Sequence, residues 1–134
     1  MFKLGDVLTK EKANSENPIV LAFIGDAVYS LYVREKLVFT SDFKTGELSL
    51  KTIENVRATS QARFFKKIES LLTEEEIAVY KRARNAKKTT RSKSATVAEY
   101  NSSTGFEALL GYLYITGNLQ RLNYLLNAGE ENES

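Results

Sequence analysis

Two carboxylates interrupt helix-like apolar runs in this sequence: Asp26 in LAFIGDAVY (residues 21–29) and Glu107 in STGFEALLGYLY (residues 103–114). An unpaired carboxylate withdrawn from water is costly, and the helical neighbours of Asp26 (Ala22, Phe23, Tyr29 and Ser30) include no base to pair with it. Glu107 is flanked on its face by Ser103, Thr104, Leu110 and Gly111. Glycine accompanies both acids, Gly25 beside Asp26 and Gly105 and Gly111 around Glu107. A glycine inside a helix costs roughly 1 kcal/mol against alanine, so these positions predict helices that approach closely and bring the two acids together. Paired carboxylates repel unless a proton or cation lies between them. A hard ion such as Mg²⁺ needs only one or two carboxylates besides water and phosphate oxygens. The chemistry so indicated is metal-assisted attack on a phosphodiester.

Composition narrows the choice. With no cysteine and no histidine, the chain cannot build a thiolate site, a disulfide framework or a histidine-based triad. Catalysis is left to carboxylates, hydroxyls, lysines or a hard metal ion. Net charge is only +2, but KRARNAKKTTRSK (residues 81–93) holds seven basic residues and no acid. Such a run suits a polyanion whose binding weakens with salt. The residues alone also read more simply, the acids as hydrogen-bonded or solvated helix residues and the basic run as a solvated helix end.

The elements that must position these groups are helical. Val20, Ile24, Ala27, Val28, Leu31 and Tyr32 recur at helical spacing, which predicts a helix over 18–37 with Asn17 or Ser15 as cap. Residues 38–46 read as a loop, and a second stripe from Leu48 predicts one long helix to Leu72. Thr73 and Glu76 have capping-box spacing for a helix over 74–85. Residues 86–97 read as a loop, followed by helices over 97–115 and 119–127. The 134 residues suit a single all-α domain, long enough to bury about two thirds of its unfolded surface. Residues 1–16 and the acidic end, 129–134, are expected to be loosely ordered. No apolar run approaches a membrane span and no signal-peptide pattern is present, so a soluble, cytoplasmic protein is expected.

LAFIGDAVYSLYVR (residues 21–34), RARNAK (82–87) and STGFEALLGYLYITG (103–117) together resemble Mini-ribonuclease III, the short relatives of ribonuclease III that lack a double-stranded-RNA-binding domain. The likeness spans nearly the whole chain in order and spacing. It implies a ribonuclease III-like helical fold, a two-fold homodimer, and Mg²⁺-dependent cleavage of double-stranded RNA, with Mn²⁺ able to substitute. The implied substrate is the large-subunit (23S) ribosomal RNA precursor, with a ribosomal protein as a helper. By position, Asp26 and Glu107 match the family's metal-binding, catalytic acids. The resemblance and the basic run together nominate Arg82, Arg84, Asn85, Lys87, Lys88, Arg91 and Lys93 for RNA contact.

Departures accompany the likeness. Larger ribonuclease III enzymes carry acids at the positions of Ala22 and Thr104, so a sparser metal site than a full two-metal arrangement is implied. The loop RSKSAT (91–96) and Asn101 after Tyr100 also differ from the Mini-ribonuclease pattern. The alternative function is a non-catalytic helical RNA-binding or ribosome-assembly module.

Overall fold

A computed structural model of the chain describes residues 3–40, 45–88 and 95–131. Helices α1 (Lys10–Ser15), α2 (Pro18–Thr40), α3 (Thr45–Val56), α4 (Ala58–Ile68), α5 (Glu74–Asn85), α6 (Val97–Ile115) and α7 (Leu119–Glu131) follow in order, with a 3₁₀ turn at Glu69–Leu71. No strand occurs among the described residues. The all-α class is as the periodicity predicts.

Helix α6 is the centre of the packing, with α2, α5 and α4 laid against it. Its stretch from Ser103 to Leu113 is buried except for Glu107, which is half-buried. A helix apolar on all sides belongs in a core. Tyr29 meets Phe64 and Phe106 edge-on there, and those two rings are tilted to one another, with all centroids 5.1–5.6 Å apart.

Local chemistry sets the boundaries. Asn17 Oδ1 accepts from Ile19 N–H at 2.9 Å and starts α2. Thr73 and Glu76 form the predicted capping box of α5, and Thr96 with Glu99 forms another at the start of α6. Each box satisfies backbone N–H groups that a helix start leaves without partners. Gly117, at φ +77°, turns the chain between α6 and α7.

Four expectations are corrected. The single helix predicted over 48–72 is broken at Arg57, whose backbone is extended. Ser60 Oγ donates to Glu54 O at 2.8 Å and Gln61 Nε2 to Val56 O at 2.8 Å, so side chains of α4 satisfy the carbonyls at the end of α3 and make the break tolerable. The predicted loop over 38–46 is shorter, because α2 runs to Thr40 and α3 starts at Thr45; residues 41–44 lie outside the described residues. The N-terminal segment is not loose throughout. Thr9 caps α1, Ala13 is wholly buried, and Leu8 N–H donates to Ile115 O at 2.9 Å. Helix α7 extends past 127 to Glu131, with buried Gly129 packed on Phe64, while 132–134 lie outside the described residues.

Candidate metal centre and nucleic-acid interface

The crossing of α2 and α6 is a backbone contact. A Cβ added at Gly25 would lie 1.6 Å from the carbonyl oxygen of Glu107, and one added at Gly111 would lie 1.9 Å from that of Leu21. No side chain fits between these helices at either point. Asp26 follows Gly25 directly and Glu107 itself supplies one of the contact atoms, so the glycine crossing sets the two carboxyls beside one another. Gly105, the third glycine, receives Tyr80 of α5 instead.

Asp26 and Glu107 line one cavity of about 650 Å³, together with Gln61, Lys87, Lys88 and Tyr100. Asp26 is exposed at this cavity and Glu107 is half-buried. This corrects the expectation of a buried Asp26: desolvation falls on its partner. Burial, then a hydrogen bond with Asp26 and the charge of Asp26, push the Glu107 carboxyl up to about 9, against a smaller lowering by Gln61. Of the two acids, Glu107 is the one whose ionisation is opposed.

Gln61 lies outside the residues nominated from the sequence. It is only 2% exposed, and its Nε2 donates to Val56 O at 2.8 Å and, over a longer 3.4 Å, to Glu107 Oε2. Its Oε1 is buried without a hydrogen-bond partner among the described residues. A buried acceptor left so costs about 1–3 kcal/mol. One signal was available: Gln61 lies three, four and seven residues before the buried Phe64, Phe65 and Ile68, a polar side chain on an apolar stripe.

The basic residues divide into groups. Lys87 is exposed at the carboxylate cavity. Lys88, lining the same cavity, donates to the carbonyls of Ala83, Arg84 and Ala86 at 2.7–2.9 Å, and burial pushes its ammonium below the ordinary lysine value. It therefore also caps the C-terminal end of α5. Arg82 turns the other way and donates to Asn14 O at 2.7 Å. Arg84 donates to Asn85 Oδ1 at 3.1 Å; both line a second cavity of about 500 Å³ with Arg63 and Lys66, cations from α4 outside the predicted set. Arg91 and Lys93 lie outside the described residues.

The donor set suits a hard cation. Apart from the two lysines, the polar side chains of the cavity offer carboxylate, hydroxyl or amide groups, and no cluster of three or more acids, cysteines or histidines able to hold a metal ion occurs among the described residues. Such a site fits an ion that retains most of its water, as Mg²⁺ does, rather than one caged by protein. A cation would also relieve the repulsion between the two acids.

Comparison with known proteins decides the family. The family description "Ribonuclease III domain" matches residues 19–118. The chain belongs to the ribonuclease III family. It is 48% identical over 121 residues to Mini-ribonuclease 3 of Thermoanaerobacter sp. (strain X514), covering 90% of this chain and 85% of that one. To Mini-ribonuclease 3 of Clostridium tetani it is 41% identical over 126 residues, covering 93% and 83%. The crystal structure of protein FN1578 from Fusobacterium nucleatum superposes with a TM-score of 0.79 at 30% identity, over 90% of this chain and 96% of that one. These relatives place the chain in the Mini-ribonuclease III branch. It is an endoribonuclease, of a class that acts on double-stranded RNA, which sets aside the non-catalytic module. Within this ribonuclease III domain, Ala22 and Thr104 line the same cavity as the acid pair, so the two missing acids are absent from the site itself.

Proposed function

We propose that the protein is a Mg²⁺-dependent endoribonuclease, with Mn²⁺ able to substitute, that cuts double-stranded RNA to leave 5′-phosphate and 3′-hydroxyl ends. The observation that carries this reading is the shared placement of Asp26 and Glu107 on one cavity edged by Lys87 and Lys88. Asp26 and Glu107 would hold the ion. The chemistry such an ion supplies when bound is Lewis acidity toward a phosphate oxygen and acidification of its water. Lys87, exposed at the rim, attracts the phosphodiester and offsets its charge. Arg84, Arg63 and Lys66 at the adjoining cavity extend the positive strip along the backbone of the duplex, whose wide minor groove is read mainly by shape.

Helix α2 supports a two-fold dimer. Val20, Phe23, Ala27 and Leu31 form an exposed apolar stripe along it, with Phe23 78% exposed. A contiguous stripe of this kind marks an interaction surface, and a two-fold pairing through it places one carboxylate pair for each RNA strand. The shared core of α1, α2 and α4–α7 supports reading residues 1–134 as one domain. No helix among the described residues is long and apolar enough to cross a membrane, in keeping with action in the cytoplasm. The resemblance to Mini-ribonuclease III points to the 23S ribosomal RNA precursor as substrate, with a ribosomal protein presenting it.

The test is cleavage of long double-stranded RNA across a Mg²⁺ titration, with the product ends mapped. Metal-dependent products bearing 5′-phosphates are expected; equal cleavage in excess chelator would contradict the reading.

A further inference from the structure

Three observations converge on Gln61. First, its amide is anchored by backbone rather than by solvent: the break at Arg57 lets α4 fold back on α3, and Nε2 donates to Val56 O at 2.8 Å. Second, the same nitrogen reaches Glu107 Oε2. Third, the hydroxyls next to Glu107 along its helix are committed elsewhere, since Ser103 Oγ and Thr104 Oγ1 both donate to Tyr100 O, at 2.8 and 3.0 Å.

We infer that Gln61 is a positioning residue: it holds the Glu107 carboxyl beside Asp26 in the orientation that receives the metal ion. This rests on the function proposed above. Without such a donor, the Glu107 side chain would be free to take other rotamers whenever the cation left, and each binding event would have to fix it again at an entropic cost. With it, the carboxyl stays in place. The side chain is better built for this than for packing. Its Oε1 is buried with no donor among the described residues, a defect that an apolar residue of the same length would not carry. Groups that orient metal ligands without touching the metal typically change affinity by about tenfold to a hundredfold when removed.

Gln61→Met preserves length and removes the donor, and Gln61→Leu removes the donor with a shorter, branched side chain. Mn²⁺ binding to each full-length variant without RNA is followed by electron paramagnetic resonance, beside thermal unfolding and the Mg²⁺ dependence of cleavage. The expected result is a half-saturating metal concentration raised about tenfold to a hundredfold in both assays, a cleavage rate that returns close to wild type at saturating metal, and a cooperative unfolding transition whose midpoint falls only as far as the lost Val56 bond explains. Unchanged Mn²⁺ binding, or failure of both variants to fold, would confine Gln61 to the α3–α4 break and overturn the inference. Wild-type protein that neither binds Mn²⁺ nor cleaves would sink the metal reading itself, an outcome separate from wild-type binding that the variants share.

Discussion

Gly25 lies directly against the backbone of Glu107, at a distance that leaves no room for a single methyl group. Alanine in place of Gly25 should gain roughly 1 kcal/mol of helix propensity. It must also push α2 off the carbonyl of Glu107, and overpacking of a rigid contact costs typically 1–3 kcal/mol, occasionally more. The clash should win, because both partners are main chain and neither can change rotamer. Urea denaturation of Gly25→Ala is expected to show a net loss of up to about 2 kcal/mol, with cleavage reduced beyond what the unfolded fraction explains.

The two lysines at the carboxylate cavity should separate. Lys87→Ala is expected to weaken RNA binding and reduce its salt slope by about one unit while leaving thermal stability unchanged, since no hydrogen bond ties Lys87 to the described fold. Lys88→Ala should in addition lower stability by about 1 kcal/mol, because the α5 carbonyls lose a charged donor. Salt-dependent binding isotherms and unfolding curves on both variants check this.

Acid stability should depend on Glu76. Burial raises its pKa, but hydrogen bonds from Arg121 and Thr73 outweigh that and bring it below the ordinary value of 4.5. A carboxyl with a lowered folded-state pKa contributes stability that is fully present above its unfolded value and lost as pH falls through the folded one. The unfolding temperature is therefore expected to drop below about pH 4.5 and to do so less steeply in Arg121→Gln. Parallel pH profiles of the two proteins would contradict this assignment.

The dimer predicts its own variant. Leu31 is exposed on the α2 stripe and is not among the cavity residues. Sedimentation equilibrium should give a dimer for the wild type and a monomer for Leu31→Glu, with the helical circular dichroism retained. A wild-type monomer at micromolar concentration would remove the two-fold arrangement.

How much of this could be read from the chain varies with the range of the interactions. Helices α5 and α6 match their predicted ranges because their boundaries are written locally, in Thr73 with Glu76 and in Thr96 at the foot of the buried run. The close crossing was legible too, since Gly25 and Gly111 have no local reason to interrupt helices. The break at Arg57 was not, because Ser60 and Gln61 satisfy carbonyls of the preceding helix and leave the apolar spacing intact across the break. Exposure of Asp26 was misjudged for a related reason. Its apolar neighbour Phe23 is itself exposed, so a stripe intended for another surface reads in the sequence as core. The basic run could be found but not divided, because Arg82 is drawn to Asn14 by a contact 68 residues away in sequence.

The central claim is that Asp26 and Glu107 together hold the catalytic metal. Cleavage of long double-stranded RNA by Asp26→Asn at saturating Mg²⁺ tests it most directly, since the substitution keeps the shape of an exposed side chain and removes only its charge. The rate is expected to fall at least about a hundredfold, the scale of losing one contact that stabilises developing charge, with RNA binding retained. Cleavage by Asp26→Asn at the wild-type rate would contradict the account.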